Sequence, residues 1–357
     1  MKRRTNERHR RQASSLFNIL IATAVVLTAA VSAILISFWS VTNNADESLA
    51  KLATLTIRLS DSVGTKFAGE IVAARAELFK RNGIEVELRD RGEGVDPIAA
   101  VVSGADTFGV TDSVNFLVAR SKGQPIVAFA AGLLESSVVF YSLERSGIRA
   151  PQDFIGKRVG RRPDTNSAII YDALLKNIGL SRSQIREISS TTDLDALLND
   201  RVDVIPGRIG REGLLLRQKG VPYNVIKVAD YGIHIPGTVY FTSEKFALER
   251  PSVVQRVLRA IIAGWAMVYA DTPKSIPLIV AAGKGLTSEQ VEFELASQRD
   301  FAIPISRRVG EFDEQQWKQL RAILTNARLM DGSVDLSRAV NYDILKEAYR
   351  RPISFGN

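Results

Sequence analysis

Short apolar strands alternate with amphipathic helices along this chain, and the alternation starts over once in the middle. A chain built this way folds as helices layered on a mostly parallel sheet. Residues 55–59 carry the period-two pattern of a strand and lead into the loop SDSVGTKFAGE. Phe67, Ile71, Ala74 and Leu78 then fall at helical spacing, with Gly83 as the stop. Residues 84–88 alternate again, and Asp96-Pro97 opens a short helix, with Asp as cap and Pro at the first helical position. A third strand is expected over 107–110, a helix capped by Asp112 or Ser113, and a buried-type strand over 125–130. The second round begins with a turn at 148–154 and a strand at 158–160. The loop RRPDTNS follows, then a helix carrying Ile170, Leu174 and Ile178 on one face. Thr192 to Asp195 reads as a capping box with Asp at its third position, opening a helix toward a strand at 202–205. After PGRIGRE come a helix and a strand at 224–228, so this stretch reads as a smaller lobe inserted into the first. Beyond a strand at 238–242 the chain turns helical, with long runs from Pro251, from Thr287, near 313–325 and over 341–350.

The amino end is different in kind. No charged residue stands between Gln12 and Ala45, and 16–41 is almost wholly apolar. About 23 residues of helix span roughly 34 Å, enough for the hydrocarbon core of a bilayer. Residues 1–15 hold six cations against Glu7, a charge of +5 that is expected to stay cytoplasmic and to leave everything after Thr42 outside. The rival reading is a secretory signal cut near Val31-Ser32-Ala33, although the apolar run continues through Ile34, Leu35, Ile36 and Phe38. Residues 42–51 read as a polar linker. Of the net +8, only +3 remains for the other 342 residues, so no strongly basic face is required and no nucleic-acid partner is expected. With no cysteine, disulfides, thiolate nucleophiles and CxxC zinc sites are all excluded. Two histidines, His9 and His234, leave little for a His-rich metal site or a serine triad.

Five segments carry a resemblance, in order over residues 54–275: AGEIVAARAELFKRNGIEVEL, SGADTFGVTDS, DFIGKRVGRRPDTNS, LLNDRVDVIPG and ADYGIHIPGTVYFTSEKFALERPSVVQRVLRAIIAGW. Together they resemble a type II periplasmic binding protein. More narrowly, they resemble the NMT1/THI5-like and SsuA-like proteins that bind nitrate, alkylsulfonates and the thiamine pyrimidine precursor for ABC transporters. The resemblance implies a two-lobed α/β clamp, each lobe a mixed, mostly parallel sheet flanked by helices, closing about a hinge. Crossings near 132–137 and 230–237 would make 52–134 and 233–357 one lobe, with the C-terminal helices, and 135–232 the other. It further implies a monomeric solute-binding subunit outside the cytoplasmic membrane, held by the amino-terminal helix and docking on permease and ATPase subunits, with a small-molecule ligand and no cofactor. The return segment ADYGIHIPGTVYFTS leans toward the pyrimidine-precursor branch. A membrane-tethered sensor signalling through a partner protein is the alternative. Single-turnover pyrimidine synthases also resemble this family; they consume a histidine of the first loop, use a nearby lysine for pyridoxal phosphate and carry a cysteine-rich motif. Here Lys66 stands in that loop without a histidine or any cysteine, so no enzyme and no catalytic residue is expected.

Ligands of open α/β sheets bind beyond the carboxyl ends of the strands, where helix N-termini offer free N–H groups. That rule selects Ser60, Asp61 and Phe67 of the first loop and Thr111, Asp112 and Ser113 after the third strand. It also selects Glu135 and Ser136 at the hinge, Asp164, Thr165, Asn166 and Ser167, Gly207 and Arg208, and Tyr231 for stacking on a planar ring. Each has a plainer role open to it. Thr165, Asn166, Ser167 and the Thr111–Ser113 group can serve as caps alone, Phe67 and Trp265 as core, and His234 as a hinge-strand residue. Arg208, read at a helix start where the dipole disfavours a cation, faces an anion or else is a solvated or lobe-bridging side chain.

Overall fold

The computed structural model describes residues 54–350 apart from Asp164, residues 190–192 and Ile305, so the expectations for residues 1–51 and Asp164 lie outside the described residues. The chain begins β1 (Leu55–Arg58), α1 (Ala68–Arg75), α2 (Leu78–Arg81), β2 (Val86–Arg89), α3 (Pro97–Val102), β3 (Phe108–Asp112), α4 (Ser113–Ser121) and β4 (Ile126–Leu133). It continues β5 (Val138–Leu143), β6 (Arg158–Arg161), α5 (Asn166–Asn177), β7 (Arg186–Ser189), α6 (Leu194–Leu198), β8 (Val204–Arg208), α7 (Arg211–Gln218) and β9 (Tyr223–Lys227). It ends β10 (Thr238–Ser243), α8 (Glu244–Glu249), α9 (Pro251–Ala270), α10 (Thr272–Val280), α11 (Ser288–Ala302), α12 (Glu314–Asn326), α13 (Leu336–Ala339) and α14 (Tyr342–Arg350).

Local chemistry sets most of these boundaries. The Asp96 carboxylate accepts from Ile98 N at 3.0 Å ahead of Pro97, and Thr287 accepts from Gln290 N at 3.1 Å. α6 is capped by Asp193, which accepts from Ala196 N at 2.7 Å, so its start lies one residue beyond the expected Thr192. β5 and β7 have no counterpart in the sequence reading; β7 is a polar edge strand, and β5 lacks glycine or proline to mark it.

Each sheet has five strands, ordered β2-β1-β3-β10-β4 and β7-β6-β8-β5-β9. The first three of each order are parallel, and the fourth runs antiparallel to both neighbours. That fourth strand arrives from the other sheet. β5 follows β4 after residues 134–137, and β10 follows β9 after residues 228–237. Along β5, Val139, Tyr141 and Leu143 face one apolar cluster and Phe140 the other, the period of two that a strand buried on both faces requires.

One apolar core runs through the waist. Leu134, Ile233 and Ile235 from the two crossings and Trp317, Leu320 and Leu324 of α12 join Phe116 and Phe241 of the first sheet's side to Phe140, Phe154 and Leu174 of the second. α9 is long and apolar enough to cross a bilayer, yet its Val254, Val257, Ile261 and Trp265 are buried within the protein, as a core helix requires. α9 meets α1 at two glycines. A methyl on Gly264 would lie 2.0 Å from the Gly69 carbonyl oxygen, and one on Gly69 would lie 2.2 Å from the Trp265 ring. The same contact buries Glu70. Trp265 Nε1 donates to the Tyr240 hydroxyl at 3.0 Å, and Tyr240 donates to Glu70, whose Oε2 is without a partner among the described residues. Burial pushes the Glu70 carboxyl up to about 7, against the opposing hydrogen bonds and the charge of Lys66.

Two outcomes follow from this crossing. Gly264→Ala is expected to destabilise by about 1–3 kcal/mol, because a helix backbone has to move. Gly64→Ala, whose methyl meets only the Ser62 carbonyl at 3.7 Å, should stay within about 0.5 kcal/mol. Equal melting temperatures would refute the close approach. Glu70 gains a raised pKa on folding, so its contribution is full below about pH 4.5 and is lost as pH rises through about 7. Glu70→Gln should therefore gain stability over the parent progressively across that window, by up to about 3 kcal/mol in chemical denaturation. Parallel pH profiles for the two would show that Glu70 ionises normally.

Candidate functional site

Because parallel strands end on the same side, the loops after β1 and β3 of the first sheet face those after β6 and β8 of the second. A cavity of about 400 Å³ lies between them. Its polar lining is Lys66, Asp112 and Ser113 on one side and Ser136, Ser137, Thr165, Asn166, Ser167 and Arg208 on the other. Val114, Val138, Ile170, Ile235 and Pro236 supply aliphatic walls.

Among the described residues, two polar side-chain contacts cross this cleft. Arg208 Nη1 donates to Asp61 Oδ2 at 2.8 Å, both side chains nearly half exposed, at 40% and 44%. Asn166 Nδ2 reaches Asp112 Oδ2 at 3.5 Å. The other oxygen of Asp112 lies 3.4 Å from Lys66 Nζ, which also donates to Ser60 Oγ at 3.2 Å. Partial burial pushes the Asp61 carboxyl up, but the hydrogen bond and charge of Arg208 outweigh it and hold the group below its usual range. Both cations of the chamber are thus already paired with carboxylates.

Arg208 is the last residue of β8 and does not open a helix: its backbone pairs with Val138, and α7 starts at Arg211 after Gly210 at φ 88°. The strand runs on because Gly207 and Arg208 complete the ladder with β5. The residue is held there by its N–H to Glu212 Oε2 at 2.9 Å and by the Tyr141 hydroxyl donating to its carbonyl at 3.0 Å. The anion proposed to face it is replaced by Asp61, the lobe-bridging alternative.

Of the sequence candidates, Asp112, Ser113, Ser136, Thr165, Asn166, Ser167 and Arg208 line this chamber, while Asp61 and Ser60 reach it through Arg208 and Lys66. Thr165 caps α5, accepting from Ala168 N at 3.3 Å, and lines the cavity as well. Asp112 makes no capping bond, which leaves its carboxylate to Lys66 and Asn166. Thr111 is buried in β3 opposite Val239, and Gly207 sits against Glu212 and Tyr141, where a methyl would come within 2.7 Å of Oε2. Phe67 is core at 1% exposure, with Lys66 Nζ 5.5 Å from its ring centre. Glu135 turns to the waist, accepting from Gln316 Nε2 at 2.8 Å with His234 at 3.4 Å and Arg307 at 3.8 Å. Tyr231 packs on the shared core, its carbonyl accepting from Asn177. Phe67 therefore supplies no stacking face, and Tyr231 does not line this cavity. Lys66 and Ser137 also line the cavity, and both lie inside loops that the strand-end rule marks, 60–67 and 135–137.

A family model described as NMT1/THI5 like matches residues 64–276. The riboflavin-binding protein RibY of Chloroflexus aurantiacus is 24% identical over 301 residues, covering 81% of this chain and 85% of that protein. The 4-amino-5-hydroxymethyl-2-methylpyrimidine phosphate synthase of Legionella pneumophila is 22% identical over 272 residues, covering 75% and 84%. The periplasmic aliphatic sulphonate binding protein SsuA from Escherichia coli superposes with a TM-score of 0.67 at 17% identity, covering 81% of this chain and 92% of that one. At that identity the likeness establishes the fold: two mixed sheets flanked by helices, the architecture of solute-binding proteins of ABC importers.

The Asp61–Arg208 pair is half exposed, and such pairs are worth about 0.2–1 kcal/mol. Asp61→Asn is therefore expected to shift the balance of open and closed lobes by no more than about fivefold toward open, read from the distance between spin labels on β2 and β7. An unchanged distance distribution would mean that the pair does not hold the lobes together.

Proposed function

The chain belongs to the NMT1/THI5-like family, and on that premise we propose that it is the extracytoplasmic solute-binding component of an ABC importer. It closes its lobes on a small heteroaromatic ligand and delivers it unaltered to a membrane permease. The observation that carries this reading is the chamber between the two sheets. At about 400 Å³ it falls within the size of small-molecule sites, roughly 300–1,000 Å³, and its walls come from both lobes and from the crossing that joins them.

The electrostatics favour one ligand class. An anion in this chamber would have to draw Lys66 from Asp112 or Arg208 from Asp61, leaving a carboxylate without its partner. An uncharged ring with donors and acceptors can use Asn166, Ser137 and Ser167 while both pairs stay intact, against aliphatic walls that include Val114 and Ile170. That supports a thiamine pyrimidine precursor or a riboflavin-like compound over nitrate or a sulfonate, and the relative named for riboflavin points the same way. Transport without chemistry is supported by the composition of the first loop. Lys66 is paired with Asp112, residues 60–67 hold no histidine, and the chain has no cysteine. The amino-terminal run of uncharged residues would tether a monomer to the outer face of the membrane.

Thermal unfolding of the full chain in detergent tests this against thiamine pyrimidine precursors, riboflavin, nitrate and sulfonates. A ligand at a hundred times its Kd stabilises by about 2.7 kcal/mol. One heteroaromatic compound is expected to raise Tm, and Asn166→Ala to weaken it about tenfold. Stabilisation by nitrate or a sulfonate alone, or by nothing in the panel, would overturn the reading.

A further inference from the structure

One helix, α12, holds both crossings between the lobes. Gln316 is buried there, and its Nε2 donates to the Leu134 carbonyl at 3.0 Å and to Glu135 Oε1 at 2.8 Å in the first crossing. Three residues on, Gln319 Oε1 accepts from His234 N at 2.7 Å, and its Nε2 donates to the Gly232 carbonyl at 2.7 Å in the second. The β4–β10 ladder ends at Leu133 and Thr238, where Gly237 N still donates to the Leu133 carbonyl at 2.9 Å. Beyond that point His234 Nδ1 lies 3.4 Å from Glu135 Oε1 and joins one crossing to the other. Both residues stand in the segments that have to bend when the lobes move, so a bond between them resists the bend.

The bond depends on a proton. Glu135 Oε1 receives Gln316, His234 and, at 3.8 Å, Arg307, while Oε2 is buried without a partner among the described residues. Burial lifts the Glu135 carboxyl above its usual range, against the charges of His234 and Arg307 and helped by that of Asp313. Arg307 and Asp313, both from the stretch between α11 and α12, are the other charged groups that face the pair. Arg307 is itself tied to Gln316 Oε1 at 3.1 Å and to the Glu311 carbonyl at 3.0 Å. The end of α11 offers only the Phe301 carbonyl, which accepts from Leu134 N at 2.7 Å. Arginine and aspartate keep their charges near neutral pH, whereas histidine changes its own. The His234 side chain is 54% exposed, so water can deliver and remove that proton.

We propose that His234 and Glu135 form a proton-operated clasp in the hinge. A charged imidazole ties the two crossings together and favours the arrangement seen here, with Asp61–Arg208 and Asp112–Asn166 bridging the cleft; loss of the proton frees the lobes to part. The inference rests on the proposed closure of the lobes and is independent of which ligand they enclose. The clasp is complete only while His234 is protonated and Glu135 is not. It is lost as pH rises through the histidine range. On the acid side it is lost again as Glu135 takes up a proton, at a higher pH than an ordinary glutamate would.

The chain has no cysteine, so two introduced ones carry spin labels on β2 and β7 of the full chain in detergent, without ligand. Between about pH 6 and 8 the ratio of closed to open lobes is expected to fall about two- to fivefold, the range for a partly exposed ion pair. His234→Gln keeps the backbone bond to Gln319 and removes the titration, and Glu135→Gln removes the carboxylate at nearly constant size. Each variant should give one distance distribution at both pH values, which separates the clasp from Glu70, a group titrating in the same range. A parent indifferent to pH, a parent that closes as pH rises, or an undiminished shift in His234→Gln would overturn the clasp. A heterocycle that stabilises the chain while the distances ignore pH would sink this inference and leave the proposed function standing. A pH-driven shift in a chain that nothing in the panel stabilises would do the opposite.

Discussion

The structure depends on an exchange. Each sheet is completed by an antiparallel strand that the chain delivers from the other side of the waist, β5 into the second sheet and β10 into the first. Because both exchanged strands lie inside their sheets, the lobes cannot drift apart without losing a ladder on each flank. The same exchange aims the parallel strands of both sheets at one another, which is why the loops carrying Lys66, Asp112, Asn166 and Arg208 converge.

What the exchange brings together, electrostatics then tunes. The apolar core continues through the waist along Leu134, Ile233, Ile235 and α12, so movement of the lobes has to be a bend about that packed seam. At the cleft edge the lobes meet through polar contacts that are half exposed and individually weak, Asp61 with Arg208 and Asp112 with Asn166. The waist is thus packed and the mouth weakly latched, and the cations of the chamber are compensated by carboxylates.

Much of this was legible in the sequence because its causes are local. Caps act over three residues, so Asp96, Thr165 and Thr287 mark their helices. The strand-end rule found the loops of the cleft, including Asp112, Asn166 and Arg208. What it lacked was direction within a loop. Phe67 and Lys66 are neighbours, and the backbone sends one into the core and the other into the chamber. Arg208 looked like the start of a helix because Pro206 and Gly207 break most strands; only its pairing with β5, some 70 residues earlier, keeps the strand going. Tyr231 and Glu135 sit beside the cleft in sequence and turn to the waist, drawn by Asn177, Gln316 and His234.

The two sheets differ in when they can be finished. In the second, β8 fills the slot between β5 and β6, about 60 residues after β5, and the last strand to be synthesised, β9, then joins at an edge. In the first, the last strand is β10, and its place is between β3 and β4, which follow each other in the chain but never touch as neighbours. Those two must wait with a slot one strand wide for a segment made more than a hundred residues later, after an entire intervening lobe has appeared. Such long-range pairing is slow and leaves sticky edges bare in the meantime. A nascent chain of this topology stays unfinished until β10 has emerged.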